Sequence, residues 1–279
     1  MQLTLVTCAE HPQGHPEDAG LIAALRARGA EVDVQRWDAP QVAWGETTAV
    51  LRTPWDYVPR LDAFRAWLDS LEAAGGRVIN PLATLRWNLH KRYLLELAEA
   101  GVEVVPTRLV PQGGATSLAT LRAETGWGEL VIKPAVSAGA QGTYRVPAGE
   151  PLEERFQASL AAGDTLVQPF LPEVLGGELS LIYLGGAYSH AVLKVPRQGD
   201  YRVQSDHGGA VLPLRTVAAP VREAAEAALA ATPHPWAYAR VDGVVVGGAF
   251  LLMELELLEP ELFLEQPGAA ERFADALLG

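Results

Sequence analysis

Two strand-like stretches near the C-terminus, joined by a pair of glycines, constrain the fold of this chain more than any other feature. The first stretch contains Arg240 and Asp242, the second contains Glu254 and Glu256, and Gly247-Gly248 lies between them. Because side chains alternate along a strand, Glu254 and Glu256 share one face. The pattern predicts an antiparallel hairpin that displays three carboxylates and one guanidinium.

The register of this hairpin decides whether its carboxylates converge. Asp242 faces Glu254 only if the loop is odd, such as Gly247-Gly248-Ala249, or if a strand contains a bulge; an even two-residue loop would place Asp242 opposite Met253. Convergent carboxylates suit a hard cation such as Mg²⁺, which keeps coordination sites for water and phosphate. The same alternation also describes the solvated face of an ordinary edge strand, and the hairpin alone leaves both interpretations open.

Composition and charge narrow the range of possible binding partners. The 279 residues include 22 Lys and Arg against 34 Asp and Glu, a net charge of −12, which offers no electrostatic footprint for a nucleic acid. A single cysteine, Cys8, excludes an internal disulfide and a thiolate-rich zinc site. The N-terminus has no basic lead, and no apolar run approaches the roughly 18 residues that a membrane span requires. We expect a cytoplasmic protein that binds small molecules rather than nucleic acid or a membrane.

His11 and His15 have the spacing of neighbours on one helix face, which would suit a pair of zinc ligands. Pro12, Gly14 and Pro16 surround them, however, and such residues mark a loop. We expect a solvated loop here, with metal binding as the less favoured alternative.

The N-terminal part alternates short β-rich runs with helical patterns. Strands are predicted at 3–6, 31–35 and 49–52, and helices at 16–28 and 60–74, so residues 1–85 should form a small parallel α/β domain. Ligands of open parallel sheets gather at the carboxyl ends of the strands. The residues expected there are Arg52, Trp55, Asp56 and Tyr57. They are predicted to contact substrate, and a purely structural aromatic turn is the alternative.

A central domain is predicted over residues 86–173. A helix at 88–100 carries Lys91 off its apolar stripe, and a strand at 130–133 ends in Lys133. The small residues of the loop that follows would let backbone amides approach an anion, although such loops often mark only a turn. The strand at 165–168 continues into an extended segment that suits a purine base, or is simply the exit of a strand.

The C-terminal domain, predicted over residues 174–279, reads as antiparallel. Strands are predicted at 178–184 and 187–195, and they carry Glu178 and Lys194. A helix at 218–231, the carboxylate hairpin and a last helix at 267–278 complete the chain.

In this order the charged residues resemble the ATP-grasp carboxylate-amine ligases, which include glutathione synthetase and D-alanine:D-alanine ligase. The resemblance covers about 86–260, and the first domain fits the N-terminal domain of that family. The segments 51–57, LRTPWDY, and 254–260, ELELLEP, are similar to the branch that contains cycloserine synthetase. The resemblance to this family implies an α/β fold of ATP-grasp architecture, in which a small parallel α/β lobe is followed by two α+β lobes that clasp ATP.

The resemblance also implies a role for each residue. ATP phosphates would contact Lys91, Lys133, Lys194 and a closing loop that contains Ser137, Gly139 and Gly142. The nucleoside would contact Gln168, Pro169, Phe170 and Leu171 through its adenine and Glu178 through its ribose. Mg²⁺, or Mn²⁺ as an alternative, would bind Asp242, Glu254 and Glu256, while Arg240 would stabilise the acyl-phosphate or the oxyanion and act in catalysis with Lys194. Substrate specificity is assigned to Arg52, Trp55, Asp56, Tyr57, Arg202, Gln204 and Gly209.

The expected activity is Mg²⁺-dependent ligation. ATP would phosphorylate a substrate carboxylate, and an amine or a similar nucleophile would capture the acyl-phosphate, forming a ring if both groups belong to one molecule. Glu256 stands where most of the family has Asn, and its extra charge would attract metal but repel phosphates.

The alternative is a non-catalytic ATP-binding module. A dehydrogenase-like protein is disfavoured because no Gly-x-Gly-x-x-Gly follows the first strand. Homodimers occur in the family, but no exposed apolar stripe indicates one here.

Overall fold

The computed structural model describes residues 1–197, 199–203 and 208–279. Its strands form three sheets, one parallel and two antiparallel, which fall in three successive parts of the chain. This mixture confirms the predicted α/β fold class. None of the helices in the described ranges is long and apolar enough to cross a membrane.

The first sheet is parallel, with strand order β2-β1-β3-β4. Every residue of its third strand is buried, as expected for a strand that is covered on both faces. The second helix buries Phe64, Trp67, Leu68 and Leu71, which recur at the spacing of one helix face. The elements are β1 (Gln2–Thr7), α1 (Asp18–Ala27), β2 (Glu31–Arg36), β3 (Thr48–Thr53), α2 (Leu61–Ala73) and β4 (Arg77–Ile79).

The segment after this sheet departs from the prediction. The single helix expected at 88–100 is two helices, α3 (Leu82–Asn88) and α4 (Tyr93–Glu99). The helix is interrupted between them because the backbone N–H of Lys91 donates outside the helix, to the carbonyl oxygen of Ala135 at 2.7 Å. A contact with a distant part of the chain therefore interrupts a pattern that is locally helical.

The second sheet is antiparallel, with order β5-β8-β6-β7. Leu118, Leu121, Phe156 and Leu160 of its two helices pack on the strands and form their own core. The elements are β5 (Arg108–Val110), α5 (Leu118–Thr125), β6 (Leu130–Pro134), β7 (Tyr144–Val146), α6 (Glu153–Ala162) and β8 (Thr165–Pro169).

The third sheet is also antiparallel, with order β11-β10-β9-β12-β13. One helix buries Val221, Ala225 and Leu229 against it, and the last helix packs Phe273 and Leu277 into a core shared with α1. The elements are β9 (Glu178–Leu184), β10 (Ala187–Val195), β11 (Ala210–Leu214), α7 (Ala219–Ala230), β12 (Tyr238–Val246), β13 (Ala249–Glu256) and α8 (Ala269–Leu278).

The hairpin of β12 and β13 adopts one of the two registers that the sequence allows. Val246 pairs with Ala249, so the loop is the even one, but a bulge shifts the register and places Asp242 opposite Glu254 and Arg240 opposite Glu256. Gly243 sits at this bulge. A Cβ there would collide with the carbonyl oxygen of Leu251 and with the ring of Phe250, so the missing side chain permits the shift.

Candidate active site

A cavity of about 730 Å³ lies where the three sheets meet. Residues from β6 and β8, from β9, β10, β12 and β13, and from the turn after β3 line it. The predicted residues that line it are Trp55, Asp56, Tyr57, Lys91, Lys133, Ser137, Gly139, Gln168, Pro169, Phe170, Leu171, Glu178, Lys194, Arg202, Arg240, Asp242, Glu254 and Glu256. The structure thus brings together segments that are far apart in the sequence.

The carboxylates of the hairpin converge on one point. Asp242, Glu254 and Glu256 each offer one oxygen, and these oxygens lie within 4.8 Å of one another. Asp242 is buried, whereas the side chains of Glu254 and Glu256 are 26% and 23% exposed. An all-oxygen set that keeps partial exposure fits a hard cation with open coordination sites. Within the described ranges, this is the only group of three or more His, Cys, Asp or Glu side chains that converges in this way.

Cationic side chains surround these carboxylates. Lys91 lies 2.8 Å from Glu254 and also donates to the carbonyl oxygen of Ser137 at 2.8 Å. Lys194 lies 2.6 Å from Glu178 and 3.4 Å from Asp242. The resulting network is buried and nearly balanced in charge, as buried ionic groups must be.

Lys133 differs from the other cations. It is buried at the cavity wall, but its ammonium forms no ion pair or hydrogen bond with any residue that the structure describes. Burial lowers the pKa of its ammonium, while the nearby charge of Glu254 partly opposes this effect. Lys133 is thus a cation without an internal partner, facing the space where an anion would bind.

Arg240 links two of the three convergent carboxylates. Its Nε donates to Asp242 at 2.9 Å, and one terminal nitrogen donates to Glu256. The other terminal nitrogen donates to the carbonyl oxygen of Glu261 at 3.1 Å. These bonds fix the guanidinium beside the carboxylates.

The pKa values of the two glutamates diverge. Burial raises the pKa of Glu254, but the charges of Lys91 and Lys133 outweigh it and lower this pKa to about 2. For Glu256, burial exceeds the stabilising charge of Arg240 and raises the pKa to about 8. Glu254 is therefore ionised at neutral pH, whereas burial makes Glu256 easier to protonate than an ordinary glutamate.

One part of the cavity wall is apolar. Phe170 follows β8, and its backbone N–H donates to the carbonyl oxygen of Glu129 at 2.9 Å. The guanidinium of Arg145 stacks on the Phe170 ring at 3.8 Å from its centroid. The side chains that complete this slot are Val131, Val174, Val203 and Met253. A slot with an aromatic wall and a strand exit suits a planar base.

Another part of the cavity is lined by rings and carboxylates. The half-buried His11 and His15 pack edge-to-face, with centroids 5.0 Å apart, and both contact Trp55. Trp55 is fixed because its Nε1 donates to the carbonyl oxygen of Glu259 at 3.2 Å. The predicted loop is present here, but its histidines line the cavity instead of facing bulk solvent, and among the described residues no third metal-binding side chain joins them.

Three predicted site residues lie elsewhere. Arg52 is 1% exposed and outside the cavity wall, because its guanidinium turns toward the start of α1 and pairs with Glu17 at 2.6 Å and Asp18 at 2.8 Å. This corrects its assignment as a substrate contact. Gly142, which abuts Pro134, and Gly209 do not line the cavity either.

Two further substrate predictions need comment. Arg202 lines the cavity, but its guanidinium already pairs with Asp200 at 2.8 Å. Gln204 lies outside the described residues.

Sequence reasoning missed several residues of the cavity wall. Glu259 and Glu261 continue the acidic pattern of β13 and could have been found from it. Asn88, His11 and His15 carry no local signal, since only the folded chain brings them to the cavity. Burial raises the pKa of Glu259 to about 7, although a hydrogen bond from Tyr57 opposes the rise.

Known proteins share this fold and much of the sequence. A family model described as the N-terminal domain of D-cycloserine synthetase DcsG matches residues 3–80. The cycloserine biosynthesis protein DcsG of Streptomyces lavendulae is 32% identical over 287 residues, which covers 92% of this chain and 91% of that protein. The crystal structure of D-cycloserine synthetase DcsG superposes with a TM-score of 0.85 at 32% identity, covering 99% of this chain and 98% of that chain.

The likeness of fold extends to a more distant ligase. The D-alanine–D-alanine ligase from Bacillus anthracis, complexed with ATP, has a TM-score of 0.70 at 14% identity and covers 100% of this chain and 96% of that chain. At that identity only the fold is shared. The relative that is 32% identical over nearly the whole chain settles the family: this chain belongs to the ATP-grasp ligases, in the branch of D-cycloserine synthetase.

Proposed function

We propose that this ATP-grasp enzyme activates a small-molecule carboxylate as an acyl-phosphate and lets an amine or a similar nucleophile displace the phosphate. One observation carries the proposal: four cationic side chains and a convergent set of carboxylates face the same cavity. Phosphoryl transfer requires positioned charge rather than a protein nucleophile. The residues are Lys91, Lys133, Lys194, Arg240, Asp242, Glu254 and Glu256.

The three lysines are proposed to hold the phosphates of ATP. All three are buried at the cavity wall, so water screens their charges only weakly. Lys133 can take an anionic partner at once because no described residue pairs with it. Lys91 and Lys194 must instead loosen their pairs with Glu254 and Glu178.

Asp242, Glu254 and Glu256 are proposed to hold Mg²⁺, with Mn²⁺ as an alternative. Their convergent oxygens fit such an ion. When bound, the ion would neutralise charge on the transferred phosphoryl group. Glu256 replaces the family's usual Asn, and its ion pair with Arg240 offsets the added negative charge that would repel phosphate.

Arg240 is proposed to stabilise the negative charge that develops on the acyl group. Its hydrogen bonds to Asp242, Glu256 and the carbonyl oxygen of Glu261 hold the guanidinium in place. A preorganised cation at the boundary between the metal carboxylates and the substrate end stabilises an oxyanion without having to reorient.

The nucleoside is proposed to occupy the apolar slot. Adenine would lie beside Phe170 and bond the backbone between Gln168 and Leu171, and Glu178 would meet the ribose hydroxyls. This assignment is supported by the apolar walls of the slot, with the ring of Phe170 among them, and by the position of Glu178 on the same cavity.

The carboxylate substrate is proposed to bind at the end lined by His11, His15, Trp55 and Tyr57. The names of the relatives support a product such as D-cycloserine or a related small ring. In that case the nucleophile and the activated carboxyl belong to one molecule, so ring closure needs no second substrate. The walls of this end are held by bonds such as that from Trp55 to Glu259, which would restrain a short substrate in a folded shape.

A non-catalytic nucleotide-binding module is the second candidate. It is favoured by one observation, namely that Glu254 and Glu256 already have internal cationic partners in Lys91 and Arg240. Such a protein would bind nucleotide without turning it over.

The decisive experiment traps the acyl-phosphate. The protein is incubated with Mg²⁺, ATP and a panel of amino acids and their O-substituted derivatives, and ADP release is measured with and without hydroxylamine, which converts an acyl-phosphate into a hydroxamate that is detected as its coloured Fe³⁺ complex. We expect substrate-dependent ADP release and hydroxamate in the wild type and in Glu265→Gln, an exposed control, but not in Glu254→Gln. Nucleotide binding without ADP release across the panel would favour the non-catalytic module.

A further inference from the structure

Among the strands that the structure describes, β13 is the last of its sheet, so its outer edge pairs with no further strand. Buried backbone groups on such an edge need other partners. At Leu252 another part of the main chain supplies them: Leu252 N–H donates to the carbonyl oxygen of Glu103, and the Leu252 carbonyl oxygen accepts from the N–H of Val105, both at 2.9 Å.

Side chains take over this task farther along the strand. The N–H of Leu255 donates to the hydroxyl of Tyr93 at 3.2 Å. The carbonyl oxygen of Leu255 accepts from Nδ2 of Asn88 at 2.8 Å, and the N–H of Leu257 donates to Oδ1 of Asn88 at 2.7 Å. The Leu257 carbonyl oxygen accepts from Nδ2 of Asn80 at 2.8 Å. The three polar side chains therefore act in place of the missing strand.

Asn88 occupies a distinct place in this row. Its amide binds the backbone groups immediately before and after Glu256, so both peptide planes that flank the glutamate are held by one side chain. Asn88 is only 7% exposed and lines the cavity. The side chains of Leu255 and Leu257 are fully buried on the opposite face of the strand, which leaves Glu256 directed toward the cavity.

The break between α3 and α4 explains how these contacts are possible. Asn88 ends α3, Tyr93 begins α4, and Lys91 lies between them and pairs with Glu254. In a continuous helix Asn88 and Lys91, three residues apart, would share a face, but Tyr93, five residues beyond Asn88, would project from a different one. The break lets one short segment of the chain contact consecutive residues of the carboxylate strand.

We propose that Asn88 is a positioning residue for the metal site: it holds Glu256, and with it the carboxylate pair on β13, in the orientation that binds the divalent cation. This inference rests on the proposed function. Asn88 acts through the backbone and not by ligating the ion. Groups that orient metal ligands in this way change metal affinity by about 10- to 100-fold when they are removed.

The test compares substitutions at two residues of α3, each of which removes a buried hydrogen bond of the side chain. Asn88→Ala removes both bonds to β13, and Asn88→Asp keeps the size and the acceptor but loses the donor to Leu255. Thr84→Val is the matched control, because Thr84 is fully buried and donates to the carbonyl oxygen of Pro235 at 2.6 Å, away from β13. Mn²⁺ binding in the presence of ADP is followed by the EPR signal of free Mn²⁺, and the unfolding free energy of each variant is measured in urea.

We expect Asn88→Ala and Asn88→Asp to weaken Mn²⁺ binding by about tenfold or more, while Thr84→Val loses stability but binds Mn²⁺ like the wild type. Equal Mn²⁺ affinity in the Asn88 variants and the wild type would overturn the inference alone, as would equal weakening in Thr84→Val. If Asn88→Ala does not fold, Asn88→Asp decides. A wild type that binds no Mn²⁺ with ADP would instead overturn the proposed function, and the inference with it.

Discussion

The ammonium of Lys91 lies 2.8 Å from the carboxylate of Glu254, in an ion pair that joins the break between α3 and α4 to the carboxylate strand β13. In the proposed function Lys91 binds a phosphate of the nucleotide and Glu254 binds the divalent cation. A metal–nucleotide complex would then replace this internal pair with two external contacts, so the pair holds both groups in place before the ligand binds.

Lys91→Met should weaken binding of Mg²⁺·ADP by about tenfold or more, because a hydrogen bond to a charged group contributes about 1.5–3 kcal/mol. The affinity is measured by isothermal titration calorimetry. Arg92→Met, on the exposed neighbouring residue, serves as the control and should bind like the wild type. Unchanged affinity in Lys91→Met would contradict the role of Lys91 in phosphate binding.

Lys133→Met should separate stability from activity. Because Lys133 is buried and its ammonium has no ion-pair partner among the described residues, its removal deletes the cost of burying a charge but also the longer-range attraction to Glu254, so the unfolding free energy should change little. Catalysis should fall by about 100-fold or more, the usual result of losing one preorganised group. Urea unfolding and ADP release measure the two effects, and a large loss of stability would show that Lys133 has a structural role.

Glu17 should make stability depend on pH. It shares the guanidinium of Arg52 with Asp18, and burial raises its pKa from an ordinary 4.5 to about 7. The folded state thus binds a proton more tightly than the unfolded state. The stabilisation is complete below about pH 4.5 and is lost as pH rises to about 7.

The variant Glu17→Gln isolates this contribution. We expect the wild type to lose unfolding free energy relative to Glu17→Gln between pH 4.5 and pH 7, by about 1.4 kcal/mol for each unit of pKa shift. Urea denaturation across that interval is the measurement. Parallel pH profiles for the two proteins would show that Glu17 is ionised at all of these pH values.

The bulge in the β12–β13 hairpin should make the stability of the protein sensitive to one methyl group added at Gly243. Gly243→Ala should cost about 1–3 kcal/mol, the range for an overpacked core, because its Cβ would meet Leu251 and Phe250. It should also weaken Mg²⁺·ADP binding by shifting Asp242 relative to Glu254. Gly247→Asn is the control: it has a positive φ of 58° with nothing within 4 Å, and Asn tolerates that conformation. Equal stability of the two variants would show that the bulge does not depend on glycine.

The parallel sheet and the carboxylate hairpin were predictable because both depend on local alternation. Glu254 and Glu256 share a face whatever the rest of the chain does, and the bulge was one of the arrangements that pairing with Asp242 requires. The break between α3 and α4 was not predictable, because residues 89–92 keep a helical composition and only the bond from Lys91 to Ala135 interrupts them.

Arg52 shows a second limit of sequence reasoning. Its place at the end of β3 correctly suggests the carboxyl edge of the sheet, but its partners Glu17 and Asp18 come from the start of α1. No local pattern reveals such a pairing. His11 and His15 illustrate the converse, since prolines and glycine predict their loop but not the ring of Trp55 that they contact.

The buried network around Arg52 has a mechanical consequence. Arg52 donates to the carbonyl oxygen of Pro260, and Glu17 accepts from the N–H groups of Leu262 and Leu264. These hydrogen bonds hold the first sheet against the segment that follows the carboxylate strand. Separating those two parts would expose charged groups that have no other ion-pair partner among the described residues. Any opening of the cavity is therefore expected to require less free energy on the side of β5 to β8.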